Sequence, residues 1–294
     1  TIMTRRISAM AMTLLVVLCL VVPVKLHADA QLRAMTLAST STTLNHVSHE
    51  VSVELKQPLD THKRMPVFAH RGFVTPGVIE NSFASFDAAL ASDCPQIELD
   101  VRQSRDGVYY VSHDATLNRD AGINERIADL SSDQLDALHL KNGENVHRLS
   151  DVFNRYGSRM YYLVEFKDPH ANVNEFRNLM AQHAELTDRV EVHSFYDCVL
   201  HRLDDVMPHM YKQLLIGHRS AIMQHINEPY IDSLALAKHL ATPETVERIH
   251  NAGKEVWTWT VSKPSVIRAN FRAGVDGVIT DLPTAPKIVA EAAA

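Results

Sequence analysis

Two carboxylates, Glu98 and Asp100, stand one residue apart inside the apolar run 96–101, so in an extended strand both project to one face. Glu165 and Lys167 repeat that spacing at the end of 161–166. Val67-Phe68-Ala69 runs directly into His70-Arg71-Gly72, and Tyr109-Tyr110-Val111-Ser112 into His113-Asp114. Polar side chains turned inward at strand ends are costly unless they find partners, and four separate runs make the same choice. Glu98, Asp100 and Glu165 together offer oxygen ligands for a hard divalent cation, Ca2+ or Mg2+ rather than zinc. An unperturbed imidazole changes charge near neutrality, so of His70 and His113 one can serve as general base while the other is a general acid. Arg71 presents a planar fork matched to phosphate oxygens, and Lys167 a point charge. The chemistry such a set suits is displacement at a phosphodiester. A cation polarises a non-bridging oxygen while imidazoles on either side of phosphorus move protons. Which histidine is base and which acid stays open.

Taken singly, each pair has a plainer reading. Glu-x-Asp is common on the solvated face of an antiparallel sheet, and Glu-x-Lys can be a simple ion pair. The elements around them decide against it. Strand-like runs at 66–69, 96–101, 108–112, 161–166, 190–193, 212–216, 233–237, 255–261 and 277–279 alternate with amphipathic stretches. Phe83, Phe86 and Leu90 recur at helical spacing behind Asn81, a residue suited to capping the helix start. A second helix is expected over 130–138. Thr242-Pro243-Glu244 opens another, and Gly253 suits its end. Alternation of this kind implies a parallel sheet with right-handed crossovers, and about eight units in roughly 225 residues fit an α/β fold of the (β/α)8 TIM-barrel class. In that architecture chemistry gathers at the C-terminal ends of strands, where the residues above stand.

The 294 residues carry 46% apolar and 22% charged side chains, enough for a real core, and a formal charge of −6 without a basic cluster. A nucleic-acid partner is therefore not expected. Arg5 and Arg6 precede an apolar run from Met10 to Val24 that is followed by Ala28-Asp29-Ala30, the pattern of a signal peptide over 1–30. The run is too short for a stable span, so an exported protein, periplasmic or secreted, is expected. Cleavage would leave a charge of −8. Residues 31–64, rich in Ser, Thr and His, read as a linker or loosely packed extension, and 65–290 as one catalytic domain. Cys94 and Cys198 form no C-x-x-C and read as two ordinary buried thiols.

His70-Arg71-Gly72, Glu80-Asn81, Glu98-Leu99-Asp100-Val101, His113-Asp114, Glu165-Phe166-Lys167, Trp259-Thr260-Val261 and the stretch from Gly274 to Pro283 occur in one order across nearly the whole domain. In these segments the sequence resembles the glycerophosphodiester phosphodiesterase family, a TIM-barrel group related to sphingomyelinase-type phospholipases D. The resemblance implies His70 and His113 as the acid/base pair and Glu98, Asp100 and Glu165 as metal ligands. It also implies Arg71 and Lys167 on phosphate and Trp259 in the wall of the substrate pocket. The reaction it implies converts a small glycerophosphodiester to glycerol 3-phosphate and an alcohol. Departures from the family pattern are Ile79 for a proline, Arg119-Asp120-Ala121-Gly122 for a threonine-rich stretch, and Ser262 for an asparagine. None replaces a proposed ligand or acid/base. Trp257, two residues before Trp259, reads as barrel packing, and Asp281-Leu282-Pro283 as turn chemistry. An alternative substrate class is a lysophospholipid or sphingomyelin, which calls for an apolar rim at the barrel mouth.

Overall fold

The computed structural model describes residues 64–293, so the expected leader and all but the last residue of the extension lie outside the described residues. The described chain runs β1 (Val67–His70), α1 (Phe83–Ala91), β2 (Gln96–Gln103), β3 (Tyr109–Val111), β4 (Thr116–Leu117), α2 (Asn118–Ala121), β5 (Ile123–Arg126), α3 (Ser132–Asp136) and α4 (Leu149–Tyr156). It continues with β6 (Tyr161–Phe166), α5 (Val173–Gln182), β7 (Val190–Ser194), α6 (Asp197–Val206), β8 (Lys212–Ile216) and α7 (Arg219–His225). The last elements are β9 (Ser233–Ala237), α8 (Pro243–Asn251), β10 (Glu255–Trp259), α9 (Pro264–Arg272), β11 (Gly277–Thr280) and α10 (Ala285–Ala293).

Strands β1, β2, β6, β7, β8, β9, β10 and β11 pair in parallel, and β11 returns to β1 to close the ring. The protein is a (β/α)8 barrel. Strands β7, β8 and β9 are buried at every position, as strands covered on both faces must be, and β7 and β8 bury Glu191, His193, Lys212 and Gln213 along with their apolar residues. Phe68, Leu163, Leu215, Ala235, Trp257 and Ile279 fill the middle of the barrel, and a larger cluster packs its outer wall against the helices. Trp257 is barrel packing as expected. Gly277 on the adjacent strand makes room for it, since a Cβ there would meet the indole at 2.4 Å. Below this layer Arg64 pairs with Glu191 and Glu255 and lies over the Trp257 ring, so at the barrel floor its guanidinium is buried with Glu191 while Glu255 is half-buried beside them.

Four local expectations change. The run 108–112 is not a barrel strand. β3 folds back antiparallel on the long end of β2, pairing Val101 with Val111, and Ser112 N–H donates to the Asp100 carbonyl at 3.0 Å. That hairpin brings His113 back to the barrel mouth. The helix expected over 130–138 is short, Ser132–Asp136, with a 3-10 turn before it. It belongs to a small separate core of Tyr110, Leu117, Ile127, Leu135, Leu140 and Val146 over which the 115–148 segment is folded. Helix α1 is capped by Ser82, whose hydroxyl accepts from Ser85 N–H, and not by Asn81, which is used elsewhere. Thr242 caps α8 with Pro243 in its first turn, as expected. Among the described residues both cysteines, Cys94 and Cys198, are free. Cys94 is buried, but Cys198 is exposed, contrary to the expectation of two buried thiols. No helix among the described residues is long and apolar enough to cross a membrane.

Candidate active site

Register assembles the acidic centre. His70 pairs with Glu98 across β1 and β2, Asp100 with Glu165 across β2 and β6, and Glu165 with His193 across β6 and β7. In-register neighbours share a face, so these side chains meet inside the mouth of the barrel. Glu98, Asp100, Glu165 and His193 are all buried. Donor atoms of Glu98, Glu165 and His193 lie within 4.8 Å of one another, with His193 Nε2 3.2 Å from Glu98 Oε1. Asp100 stands beside them and is engaged by cations and an amide. Asn81 Nδ2 donates to its Oδ2 at 2.8 Å, Arg71 Nε lies 3.2 Å from that oxygen, and Lys167 Nζ lies 3.5 Å from Oδ1. Lys167 also donates to Glu165 Oε1 at 2.7 Å. Burial alone would raise the Asp100 pKa, but Lys167, Arg71 and His113 hold it down at about 2. Glu165 goes the other way, pushed up to about 7 by burial and by the negative charge of Asp100.

The turn after β1 is strained and well tied. Arg71 has φ 55° and Gly72 φ 74°. A non-glycine residue in that region persists only when its surroundings over-determine it. Here Arg71 N–H donates to Glu98 Oε2 at 3.0 Å, and its carbonyl accepts from Asn81 N–H and Ser85 Oγ at 3.0 and 2.8 Å. Its guanidinium donates to Glu80 at 2.8 Å, and Arg119 reaches the same carboxylate. Arg71 and Lys167 thus stand among the carboxylates, positioned to meet an anion that enters.

Each proposed acid/base histidine has a carboxylate behind it. His70 Nδ1 is 2.6 Å from Asp281 Oδ1, and Ser262 Oγ donates to the other oxygen at 2.9 Å. Burial disfavours charge on His70, yet the hydrogen bond to Asp281 and the field of Glu98 leave its pKa above the ordinary imidazole value. Asp281 was expected to be turn chemistry and is instead the partner of His70. Ser262, a departure from the family pattern, supports Asp281. His113 Nδ1 is 2.8 Å from Asp114 Oδ1, and its carbonyl accepts from Arg102 Nε and Nη2 at 2.9 and 2.7 Å. With Nδ1–H held by a carboxylate, Nε2 of each ring is the nitrogen left to exchange a proton with an entering group.

Trp259 sits one layer above Trp257, half-buried, its Nε1–H donating to the Ala235 carbonyl at 2.8 Å. Phe195, after β7, packs edge-on against it with centroids 5.1 Å apart. Phe195, Tyr196 and Val74, all following barrel strands, are 44%, 42% and 46% exposed.

The model of the Glycerophosphoryl diester phosphodiesterase family matches residues 70–285, from His70 at the end of β1 into α10. The chain belongs to this family. It is 29% identical over 238 residues to a glycerophosphodiester phosphodiesterase of Bacillus altitudinis, covering 74% of this chain and 94% of that one. It is 24% identical over 288 residues to a lysophospholipase D of Mus musculus, covering 79% and 85%. An Oleispira antarctica phosphodiesterase, solved in complex with the product sn-glycerol-3-phosphate, superposes with a TM-score of 0.70 at 20% identity over 78% of this chain and 97% of that one.

The residues at the mouth fit a divalent cation. Three buried carboxylates face two side-chain cations, Asp100 Oδ1 has no hydrogen-bond partner, and Glu165 resists ionisation. An added positive charge relieves all three at once. Of the expected residues, the fold gathers Glu98, Asp100, Glu165, Arg71 and Lys167 into one cluster, sets His70 in register beside Glu98, and walls the mouth with Trp259. His113 arrives on the hairpin. His193 was missed, although it ends a strand as the others do. Among 17 histidines no neighbour in the chain distinguishes it.

Proposed function

We propose that this member of the family hydrolyses glycerophosphodiesters to glycerol 3-phosphate and an alcohol, with a divalent cation held by Glu98, Asp100 and Glu165 and with His70 and His113 as the acid/base pair. The observation that carries the reading is the pairing of two carboxylate-backed imidazoles with one buried acidic cluster at the mouth of the barrel. When bound, the cation supplies Lewis-acid stabilisation of the charge that grows on the phosphoryl oxygens. Arg71 and Lys167 exchange part of their carboxylate contacts for phosphate oxygens and so orient the diester. One imidazole takes the proton of the attacking hydroxyl, of water or of the substrate's own glycerol, as its oxygen bonds to phosphorus. The other protonates the departing alkoxide. Attack by the glycerol hydroxyl gives a cyclic phosphate first, and attack by water gives the monoester directly. Export by the leader over 1–30 is part of the same proposal.

A second reading takes a lysophospholipid as substrate. It is favoured by Phe195, Tyr196 and Val74, which give the mouth the exposed apolar side chains that the sequence did not reveal. Phosphorus NMR of products from glycerophosphocholine, glycerophosphoethanolamine and lysophosphatidylcholine separates the two. Turnover of the soluble diesters at least about tenfold faster supports the leading reading, and the reverse order supports the second. A transient cyclic phosphate signal identifies the intramolecular route.

A further inference from the structure

We propose that His193 Nε2 is a direct ligand of the cation, alongside Glu98 and Glu165, which gives this centre one nitrogen donor. The inference rests on the reading that a cation occupies the acidic cluster, and goes beyond it in naming a ligand and a metal preference.

Geometry carries the first part. Among the described residues, Glu98, Glu165 and His193 are the group whose donor atoms converge within 4.8 Å, and each is buried. Asp100 Oδ2 is engaged by Asn81 and Arg71, while its Oδ1, 3.5 Å from Lys167 and without a hydrogen-bond partner, is the oxygen left to the cation. His193 has one partner, Glu98 Oε1 at 3.2 Å, and its Nδ1 is buried without any.

The orphaned atoms beneath it carry the second part. Gln213 pairs in register with His193 across β7 and β8, and Ser233 with Gln213 across β8 and β9. Leu215 and Ala235, two residues further along those strands, belong to the cluster that fills the barrel, so Gln213 and Ser233 face the interior as well. Both are fully buried, and Gln213 Oε1, Gln213 Nε2 and Ser233 Oγ all lack partners. A neutral imidazole has one N–H. If Nε2 carries it, Glu98 is satisfied and Nδ1 remains an unmet acceptor. If Nδ1 carries it, the Gln213 amide oxygen on the neighbouring strand, directly or through a buried water, is the acceptor it needs. The Nε2 lone pair then faces a carboxylate, an arrangement that is repulsive unless a cation lies between them. Metal-ligating histidines characteristically donate their second N–H to such an acceptor, which fixes the tautomer. Gln213, in register beside His193 with its amide oxygen unpartnered, is the residue placed to take that role.

A nitrogen donor shifts preference away from Ca2+ and towards Mn2+, Co2+ or Zn2+. The test is electron spin echo envelope modulation on the whole protein loaded with one equivalent of Mn2+, with binding measured by equilibrium dialysis for Mn2+ and Ca2+. Nitrogen modulation from a directly bound imidazole is expected in the wild type and is lost in His193→Gln. The affinity ratio of Mn2+ to Ca2+ falls about tenfold in that variant. Gln213→Leu is expected to keep the modulation while weakening Mn2+ binding. Stoichiometric Mn2+ without nitrogen modulation in the wild type overturns the assignment and leaves the acidic metal site standing. Modulation that persists in His193→Gln overturns it too. If neither ion binds stoichiometrically, the metal reading itself fails, and this inference with it.

Discussion

At the scale of single residues, His70 and His113 each present Nε2 because a carboxylate holds Nδ1. His70→Ala and His113→Ala are each expected to lower turnover by about 10²- to 10⁴-fold in a folded protein, as measured by initial rates alongside thermal melts. Either variant turning over near the wild-type rate removes that histidine from its role. Asp281 raises the His70 pKa, so Asp281→Asn lowers it. The limb of the pH–rate profile that belongs to His70 then moves to lower pH, whether His70 acts as base or acid; an unmoved profile contradicts the pairing. The sign for stability follows from both partners. The raised imidazole contributes stability that is complete below its unfolded pKa and lost as pH rises through the folded one. The depressed Asp281 contributes above its unfolded pKa and loses that as pH falls through its folded one. Asp281→Asn therefore costs more stability near pH 5 than near pH 9. The polar residues at 70, 71, 98, 100, 113, 165 and 167 were legible as a site because strand ends made them conspicuous. Asp281 and His193 were not, because their partners, His70 and Glu98, lie 211 and 95 residues away in the chain.

Elements explain why the positions hold. The β1 turn carries His70 and Arg71 into place by passing under Ser85. At Gly72 a Cβ would lie 2.5 Å from that backbone, with φ already at 74°. Gly72→Ala is expected to cost about 1–2 kcal/mol from the left-handed backbone alone, more from the clash, and to reduce turnover by misplacing Arg71. Denaturant unfolding and kcat measure the two effects, and an unaffected variant contradicts this account of the turn. Alternation of strand and helix announced the barrel, since both periods were plain from 161 onward. The hairpin of β2 and β3 was hidden because 108–112 looks like any covered strand. Only its pairing with Val101 tells that it runs backward.

For the whole molecule, the barrel separates a structural floor from a reactive mouth. Arg64 brings its charge to Glu191 and Glu255 at the floor, on the N-terminal sides of β7 and β10. Arg64→Ala strands a buried carboxylate and is expected to destabilise the fold by about 3–5 kcal/mol, while kcat per folded molecule is unchanged. A large fall in kcat for the folded fraction contradicts that division of labour. The central claim concerns the mouth, and one measurement meets it most directly: release of glycerol 3-phosphate from glycerophosphocholine by purified protein, stripped with chelator and then resupplied with Ca2+, Mg2+ or Mn2+. The account predicts no release after stripping and recovery on adding a divalent cation. Full activity in the stripped protein, or no glycerol 3-phosphate under any metal, contradicts it.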